Sequence, residues 1–423
     1  MTASDDDLPH RLRDRWSGLD LRSIASAPAA RMLDVAGEWD PPQGVVPKRP
    51  TLFLSVGIPD SATLPRQALN EAMAQVLAEN GDASLRYGFG QGYFPLRAAI
   101  ASGYARQHGA RVDENWLQLA NGSSGAIDLV VRSLIDPGDV ILCETPVYMG
   151  TLRNFRAVQA RIEPIPVDHE GLVIDALDAT LARLAAEGAR VKLLYTISSF
   201  QNPTAATLSL ERRRALLERS ARHGFLVLDD EAYADLYYDA TPLPSLTALA
   251  DGHGVIAVGT FSKTVATGLR IGWVLARPEL VALLSKMRFD MGQNQMALRM
   301  MANFLAAGVL EPHLETMRAL YRRKMTTLAE ALEREAGDFL TFSRPAGGFY
   351  LWTRLRAPLT ATAVWRAAAE EGVAVNPGGG FLPGPVDGEY LRIAFAWTPL
   401  EDIPEAARRI AEACRRAAAG DVP

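Results

Sequence analysis

The sequence predicts an α/β fold, with a large domain built on a mostly parallel sheet flanked by helices, followed by a smaller α+β domain. Short apolar runs alternate with segments of helical periodicity through the middle of the chain, which is typical of a parallel sheet with helical crossovers. Beyond about residue 290 the chain changes to long helices and then to a mixed segment of strands and helices. The length of 423 residues and the hydrophobic share of 48% support a large buried core.

Composition argues against several classes of function. The net charge of −5 disfavours a surface that coats nucleic acid or anionic lipid, because both need a clustered positive field. Cys143 and Cys414 lie far apart without C-x-x-C spacing and the six histidines are scattered, so we expect neither a disulfide framework nor a metal site. No apolar stretch has the length of a membrane span and no export signal is visible. We therefore expect a cytoplasmic protein that binds neither membrane nor nucleic acid.

Changes in composition along the chain predict three parts. Residues 1–50 carry charge, alanine and a proline-rich run at 41–47, which indicates an N-terminal arm and linker. Residues 51–290 are expected to form the large α/β domain, with 51–64 leading in from the small domain. Residues 291–423 are expected to form an interdomain helix and the C-terminal small α+β domain.

Residue patterns predict the elements in order. Apolar runs indicate strands at 52–60, 116–120, 140–144, 191–196, 225–230 and 255–259, and two strands of the small domain at 347–352 and 390–395. Helical spacing indicates helices at 65–79, 94–108, 126–134, 174–187, 209–223, 295–305, 310–337, 361–371 and 403–419. The glycine-rich stretch at 87–93 is interpreted as a turn, because its spacing matches neither G-x-G-x-x-G nor a Walker loop.

Polar residues follow several of the predicted strands. They are Tyr148, the run Asn202-Pro203-Thr204, the run Asp230-Glu231-Ala232-Tyr233, and the run from Thr260 to Lys263. Because ligands of parallel sheets gather at the carboxyl ends of strands, we expect these residues to meet at one site. A small-residue loop, Asn121 to Gly125, opens a helix and could hold an anion on its free N–H groups, although an ordinary helix cap would also explain it.

Lys263 lies between small hydroxyl residues and is followed seven positions later by Arg270. A neighbouring cation and partial burial both disfavour the ammonium form, so the amine could condense with an aldehyde. Arg270 offers a planar fork suited to a phosphate, and Thr260 and Ser262 offer hydroxyl donors. The alternative for a single lysine is an exposed side chain on a polar turn.

These motifs together closely resemble the fold-type I aminotransferases that use pyridoxal 5′-phosphate (PLP), in the class I/II branch with aminoadipate- and kynurenine-type enzymes. The resemblance covers nearly the whole chain from Leu52 to Phe395. It implies that residues 51–290 bind PLP and that Lys263 forms the Schiff base with it and moves the proton during the reaction. It also implies that the phosphate is held by Arg270, Ser262, Thr260, Ser123 and Ser124.

The resemblance assigns the remaining site residues as well. Asp230 matches the carboxylate beside the pyridine nitrogen, where it would keep that nitrogen protonated. Tyr233 and Asn202 would hydrogen-bond the phenolic oxygen of PLP, and Tyr148 would stack on the ring. Arg392 matches the arginine that binds the substrate α-carboxylate, and Gly57 matches the glycine whose backbone approaches the substrate. Tyr87 matches a tyrosine that reaches a neighbouring subunit's phosphate, which implies a homodimer.

The chain departs from the family pattern in three places. Ala205 stands where the family usually has glycine, Ser123-Ser124-Gly125-Ala126 replaces a more usual Ser-Gln-Gln-Ala, and Ala396-Trp397 follows the Arg392 strand. None of these changes removes a catalytic group. They bear on the local turn geometry, on the donors near the phosphate and on the shape of the substrate pocket.

The function that this resemblance implies is amino-group transfer between an L-amino acid and a 2-oxo acid. The alternative on the same scaffold is a PLP-dependent lyase, decarboxylase or oxidative deaminase, because these enzymes share the residues around the cofactor. A ligand-sensing domain of a DNA-binding regulator is a third class, disfavoured by the absence of a basic helical motif in the first fifty residues. The sequence does not name the amino acid, and Arg288 and Arg299 fit a substrate contact and a solvated helix face equally well.

Overall fold

The computed structural model describes residues 8–33, 41–88, 90–239, 242–384 and 386–421. Residues 1–7 and 34–40 of the predicted arm, and Phe89 of the glycine-rich turn, lie outside the described residues. Within the described ranges, no helix combines the length and the apolar character needed to cross a bilayer.

The elements alternate along the chain. The strands are β1 (Leu52–Phe53), β2 (Leu117–Asn121), β3 (Val140–Thr145), β4 (Arg161–Asp168), β5 (Gly171–Leu172), β6 (Val191–Thr196), β7 (Leu226–Asp230), β8 (Val255–Thr260), β9 (Ile271–Leu275), β10 (Leu340–Thr341), β11 (Tyr350–Leu355), β12 (Val373–Ala374), β13 (Asn376–Pro377) and β14 (Glu389–Ala394). The helices are α1 (Leu8–Trp16), α2 (Leu21–Ile24), α3 (Ala27–Met32), α4 (Arg66–Ser84), α5 (Phe94–His108), α6 (Gly122–Leu134), α7 (Met149–Ala157), α8 (Ile174–Ala186), α9 (Leu210–His223), α10 (Leu246–Leu249), α11 (Pro278–Lys286), α12 (Gln295–Ala306), α13 (Leu310–Ala336), α14 (Ala361–Glu370) and α15 (Ile403–Ala419).

The central sheet has eight strands in the order β2-β9-β8-β7-β6-β3-β4-β5. The five strands from β8 to β4 run parallel, whereas β9 is antiparallel to both of its neighbours. All residues of β3 and β8 are buried, as expected for strands covered by helices on both faces. The predicted large α/β fold with a mostly parallel sheet is therefore confirmed.

The register of the parallel strands sets the position of the site. Thr196 of β6 pairs with Asp229 of β7, and Asp230 pairs with Val258 of β8. The carboxyl ends of these strands consequently lie at one edge of the sheet, and the segments that follow them start there. This edge carries the polar residues that the sequence singled out.

A second sheet forms in the C-terminal part of the chain. Its four antiparallel strands have the order β10-β11-β14-β13, and α14 and α15 pack beside each other. The short strand β1 pairs in parallel with β12, through Leu52 with Val373 and Phe53 with Ala374. The start of residues 51–64 is therefore tied to the C-terminal part, while the exact domain boundaries stay a prediction.

Two predicted elements differ in the structure. The predicted strand at 52–60 is reduced to Leu52–Phe53. Leu54 still bonds to the backbone of Ala374 and Ala394, but beyond it the backbone bonds to side chains: Ser55 O accepts from Arg392 and Asp60 N donates to the Tyr321 hydroxyl. The predicted loop at 121–125 is largely helical, since α6 begins at Gly122. The sequence interpretation also omitted β9, which continues directly from Arg270.

Candidate active site

A cavity of about 460 Å³ opens at the carboxyl edge of the central sheet. Ten of the predicted site residues line it, namely Gly57, Ser123, Ser124, Tyr148, Asn202, Asp230, Tyr233, Ser262, Lys263 and Arg270. A larger and more open cleft of about 920 Å³ lies between α8 and α9, but charged side chains there pair with one another, as Arg212 does with Glu170 and Arg219 with Glu218. The chemistry that the sequence predicted therefore converges on the smaller cavity.

Lys263 projects into this cavity from the turn that follows β8. Its Nζ atom donates a hydrogen bond to the carbonyl oxygen of Gly57 over 2.7 Å, and it lies 5.9 Å from the centroid of the Tyr233 ring. The half-buried amine is thus held in a fixed place at the cavity wall. An exposed lysine on a polar turn, the alternative that the sequence left open, does not describe this geometry.

Asp230 is the last residue of β7 and is only 4% exposed. Its Oδ2 accepts from the Tyr195 hydroxyl over 3.0 Å, and its Oδ1 accepts from the backbone N–H of Ala232. Burial raises the pKa of this carboxyl to about 6, while its hydrogen bonds and the charge of Lys263 act in the opposite direction. A buried carboxylate with this pKa is suited to face a cation inside the cavity.

An anion cradle forms where Arg270 meets the start of α6. The guanidinium donates to Ser262 Oγ and to the Asn121 carbonyl, both over 3.3 Å. Gly122 has φ +72°, and a Cβ atom there would lie 2.3 Å from Arg270 Nη2, so only glycine leaves room for the guanidinium. Ser123 begins the exposed amides of the helix N-terminus, where the dipole favours negative charge.

Thr260 supports this cradle from behind and does not line the cavity. Its hydroxyl donates to the Ile271 carbonyl over 3.0 Å and lies 3.0 Å from Ser262 Oγ, and it accepts from the Ser262 backbone N–H. Thr260 thus orients the serine hydroxyl that contacts Arg270.

Arg392 is completely buried and does not itself line the cavity, but it contacts Asn202, which does. It donates to Asn202 Oδ1 over 3.1 Å, to the Ser55 carbonyl over 3.0 Å and to Asn376 Oδ1 over 2.9 Å. A guanidinium held in this way offers a planar fork of donors, the geometry that matches a carboxylate or phosphate. The site is therefore suited to bind an anionic group next to Asn202.

The position of Asn202 depends on two residues that the sequence interpretation did not identify. Gln201 Nε2 donates to Glu144 Oε2 over 3.1 Å and to the Pro146 carbonyl over 2.7 Å. Glu144 also accepts from the Thr196 hydroxyl and the Ile197 N–H, and burial raises the pKa of its carboxyl to about 7. Glu144 lies one residue from the end of β3, so its position at a strand end was the available signal.

Tyr350 is a further cavity residue that the sequence interpretation missed. Its hydroxyl lies 2.8 Å from the Tyr233 hydroxyl, and its ring lies 4.6 Å from the Arg392 guanidinium carbon. The sequence reads as an apolar strand at this point, so nothing in the pattern set Tyr350 apart from the neighbouring aromatic residues.

The remaining predicted residues have clear positions. Tyr87 is 75% exposed and lies outside the cavity, so its contact with a neighbouring subunit stays a prediction. Arg288 pairs with Asp290, and Arg299 lies over the ring of Tyr93.

Ala205, where the family usually has glycine, has φ +58° and so adopts the left-handed conformation that glycine favours. Among the described residues, no cluster of side chains could hold a metal ion.

The residues around the cavity fit PLP by their chemistry. The anion cradle at Arg270 suits a phosphate, the Asp230 carboxylate suits a protonated ring nitrogen, and the Lys263 amine suits an aldehyde. Gly122 leaves the space that this cradle requires. Arg392 contacts Asn202 of the cavity wall and suits a substrate carboxylate.

Comparison with known proteins also points to an aminotransferase. The family model described as aminotransferase class I and II matches residues 49–410. A 2-aminoadipate transaminase from Thermus thermophilus is 36% identical over 86% of this chain and 90% of its own length. The solved structure of a multiple substrate aminotransferase from Thermococcus profundus superposes with a TM-score of 0.88 at 30% identity, covering 95% of this chain and all of that chain.

A second solved structure, the α-aminoadipate aminotransferase of Thermus thermophilus complexed with N-(5′-phosphopyridoxyl)-L-leucine, has a TM-score of 0.86 at 32% identity. It covers 95% of this chain and all of that chain. The cofactor of the present protein is PLP, and its reaction is amino-group transfer between an L-amino acid and a 2-oxo acid. The chain belongs to the class I and II aminotransferases of PLP fold type I, in the branch of the aminoadipate and kynurenine enzymes.

Proposed function

We propose that Lys263 is the amine that binds PLP covalently and that the cavity around it is the catalytic centre. The observation that supports this assignment is the meeting of Lys263, the Asp230 carboxylate and the Arg270 cradle in one cavity. Bound there, PLP supplies an electron-withdrawing ring that stabilises negative charge on the substrate Cα. Once the substrate amine has taken its place, the free Lys263 Nζ would accept and hold the proton that leaves the substrate Cα.

The other residues of the cavity hold and orient the reacting groups. Asp230 holds a proton at the ring nitrogen, and the bond from Tyr195 keeps the carboxylate in place. Tyr233 and Asn202 line the cavity and would donate hydrogen bonds to the phenolic oxygen of PLP, and Tyr148 would stack on its ring. The phosphate is held by Arg270, Ser262, Ser123 and Ser124, with Thr260 orienting Ser262.

Arg392 binds the α-carboxylate of the amino acid in this proposal. Its planar fork allows two parallel hydrogen bonds, and its contact with Asn202 links the carboxylate site to the cofactor site. Gly57 lines the cavity and brings its backbone next to the substrate, and the absence of a side chain there leaves room for the Tyr350 hydroxyl. One end of the substrate is thus fixed while its Cα faces Lys263.

We also propose a homodimer in which Tyr87 reaches the phosphate of the neighbouring active site. Tyr87 belongs to a group of exposed apolar and aromatic side chains, Leu77, Leu85, Phe94, Phe289 and Met291. Gly88 and Gly292 are in close contact, so the two exposed segments at 85–88 and 289–292 form one surface. A surface of this kind is suited to a subunit interface.

The proposed division of the chain is the one given above, with an arm and linker at 1–50, the PLP-binding domain at 51–290 and the C-terminal part at 291–423. The β1–β12 pairing supports a lead-in from the small domain. A cytoplasmic location is supported by Cys143 and Cys414, which are both free and buried.

The substitution Lys263→Ala tests the assignment. We expect the variant to fold and to form dimers, to lack the absorbance of lysine-bound PLP, and to show no turnover. Normal turnover would contradict the role of Lys263. Sedimentation of the wild type tests the dimer, and Tyr87→Ala should weaken PLP retention if the side chain reaches the partner's site.

A further inference from the structure

Tyr350 connects three parts of the proposed catalytic centre. It begins β11, is only 2% exposed and lines the cavity. Its hydroxyl lies 2.8 Å from the Tyr233 hydroxyl, and the two rings meet edge to face at 76° with centroids 5.7 Å apart. The position of one hydroxyl therefore depends on the other.

The cation of Arg392 lies against the face of the Tyr350 ring. The guanidinium carbon is 4.6 Å from the centroid of this ring and 4.6 Å from the centroid of Phe381, so the two rings enclose the guanidinium. A cation over a phenol ring withdraws electron density and makes the hydroxyl a stronger donor. This favours Tyr350 as the donor and Tyr233 as the acceptor in the bond between them.

Gly57 leaves the space that the Tyr350 hydroxyl occupies. A Cβ atom at Gly57 would lie 1.9 Å from Tyr350 Oη, closer than any side chain permits. The carbonyl oxygen of Gly57 accepts the hydrogen bond from Lys263. The Tyr350 hydroxyl is therefore enclosed between Gly57 and Tyr233, which limits the directions in which it can point.

We propose that Tyr350 is a positioning residue whose hydroxyl donates to Tyr233 Oη and so directs the Tyr233 hydrogen toward the phenolic oxygen of PLP. This proposal rests on the proposed function of Tyr233. A hydroxyl that accepts one hydrogen bond is a stronger donor in the next, because the two bonds polarise each other. Tyr350 thus strengthens the bond that stabilises the anionic form of the cofactor oxygen.

The test uses PLP-loaded Tyr350→Phe, which lacks one oxygen atom and keeps the ring against Arg392. Its readout is the pH midpoint of the visible absorbance change of lysine-bound PLP. Without the Tyr350 hydroxyl the cofactor oxygen is stabilised less as an anion, so the proton that it shares with the linked nitrogen is held more tightly. We expect the midpoint to rise by roughly half a unit to one unit, the effect of one hydrogen bond.

Tyr238→Phe is the matched control. Tyr238 is half-buried and its hydroxyl donates to the Gly348 carbonyl, but Tyr238 does not line the cavity. We expect the control to leave the midpoint unchanged. In Tyr350→Phe we expect kcat to fall several-fold while KM for the amino acid stays within about twofold, because the ring and the Arg392 bonds remain.

A double-mutant cycle with Tyr233→Phe separates the effect of the hydrogen bond between Tyr350 and Tyr233 from a general disturbance of the site. The effect of Tyr350→Phe should vanish in the Tyr233→Phe background, because no hydroxyl is left to receive the bond. An unchanged midpoint in Tyr350→Phe, or an equal shift in both backgrounds, would overturn the proposal. A wild type without the absorbance of lysine-bound PLP would instead contradict the role of Lys263, so the two failures are distinguishable.

Discussion

The guanidinium of Arg392 donates a hydrogen bond to Asn202 Oδ1 over 3.1 Å, and this bond joins the C-terminal sheet to the edge of the central sheet. Arg392 lies on β14, whereas Asn202 follows β6 and belongs to the cavity wall. The residue assigned to the substrate carboxylate is therefore coupled to a residue assigned to the cofactor.

Arg392→Lys should weaken substrate binding. Lysine keeps the positive charge but cannot make two parallel hydrogen bonds to a carboxylate or reach Asn202, Asn376 and the Ser55 carbonyl together. We expect KM for the amino acid to rise by roughly ten- to a hundredfold, the effect of one or two charge-assisted hydrogen bonds. Steady-state kinetics measures this change, and an unaltered KM would show that the carboxylate binds elsewhere.

Gly122→Ala should release PLP more readily. The new Cβ atom would lie 2.3 Å from Arg270 Nη2, and the φ of +72° is unfavourable for alanine. We expect the guanidinium to move away from the anion cradle, so the dissociation constant for PLP should rise at least tenfold. Fluorescence or absorbance titration of the cofactor-free protein gives this constant. Gly138→Ala is the control, because it has a similar positive φ but open space around it; equal effects in both variants would sink the explanation.

Glu144→Gln should change the pH dependence of stability. Burial raises the pKa of the Glu144 carboxyl from 4.5 to about 7, so the folded state holds this proton more tightly than the unfolded state. The stability that protonated Glu144 adds to the folded state is present in full below pH 4.5 and is lost as the pH rises through about 7. The whole change corresponds to roughly 3 kcal/mol of unfolding free energy.

The measurement compares the wild type with Glu144→Gln at pH 5 and pH 8. Relative to the variant, the wild type should be more stable at pH 5 than at pH 8, because glutamine does not ionise. Thermal unfolding of both proteins at both values gives this difference. A difference that is the same at the two pH values would mean that Glu144 is ionised throughout.

Lys324→Met should destabilise the fold. Lys324 is completely buried on α13 and donates to Asp60 and to the carbonyls of Ala396 and Thr398. Removing the amine leaves a buried carboxylate without its ion pair, so we expect a loss of roughly 3–5 kcal/mol. Unfolding in denaturant measures this loss of unfolding free energy. Glu333→Gln, which breaks the exposed pair with Arg344, should cost far less because solvent screens that pair; similar losses in both variants would be inconsistent with this account.

Much of the fold could be predicted because its strands carry continuous apolar runs. The strand at 191–196 and the helices at 94–108 and 403–419 have the predicted bounds, since each has a clear pattern and a clear end. The antiparallel strand β9 was missed because Arg270 and Gly272 sit at its start and interrupt the apolar pattern. Its pairing with β2 and β8 depends on partners far away in the sequence, which a local pattern does not contain.

The candidate site likewise contains residues that a local pattern identifies and residues that only tertiary contacts single out. Lys263 and Asp230 were identifiable because each carries chemistry at or just after the end of a strand, and Arg270 because it follows Lys263 by seven positions. Glu144 and Tyr350 were missed because their importance arises from contacts, with Gln201 and Tyr233 respectively, that only the folded chain creates. The reduced strand at 52–53 has a similar cause, because tertiary bonds to Ser55 and Asp60 replace the sheet bonds that the apolar run suggested.

The most direct test of the central claim is a single half-reaction. PLP-loaded protein is mixed with a panel of L-amino acids without an acceptor, the cofactor absorbance is followed, and the products are identified. The account predicts conversion of the cofactor to its pyridoxamine form together with one equivalent of 2-oxo acid, and no such conversion in Lys263→Ala. Continuous release of ammonia or carbon dioxide with PLP retained would contradict it and would indicate a lyase, a decarboxylase or an oxidative deaminase.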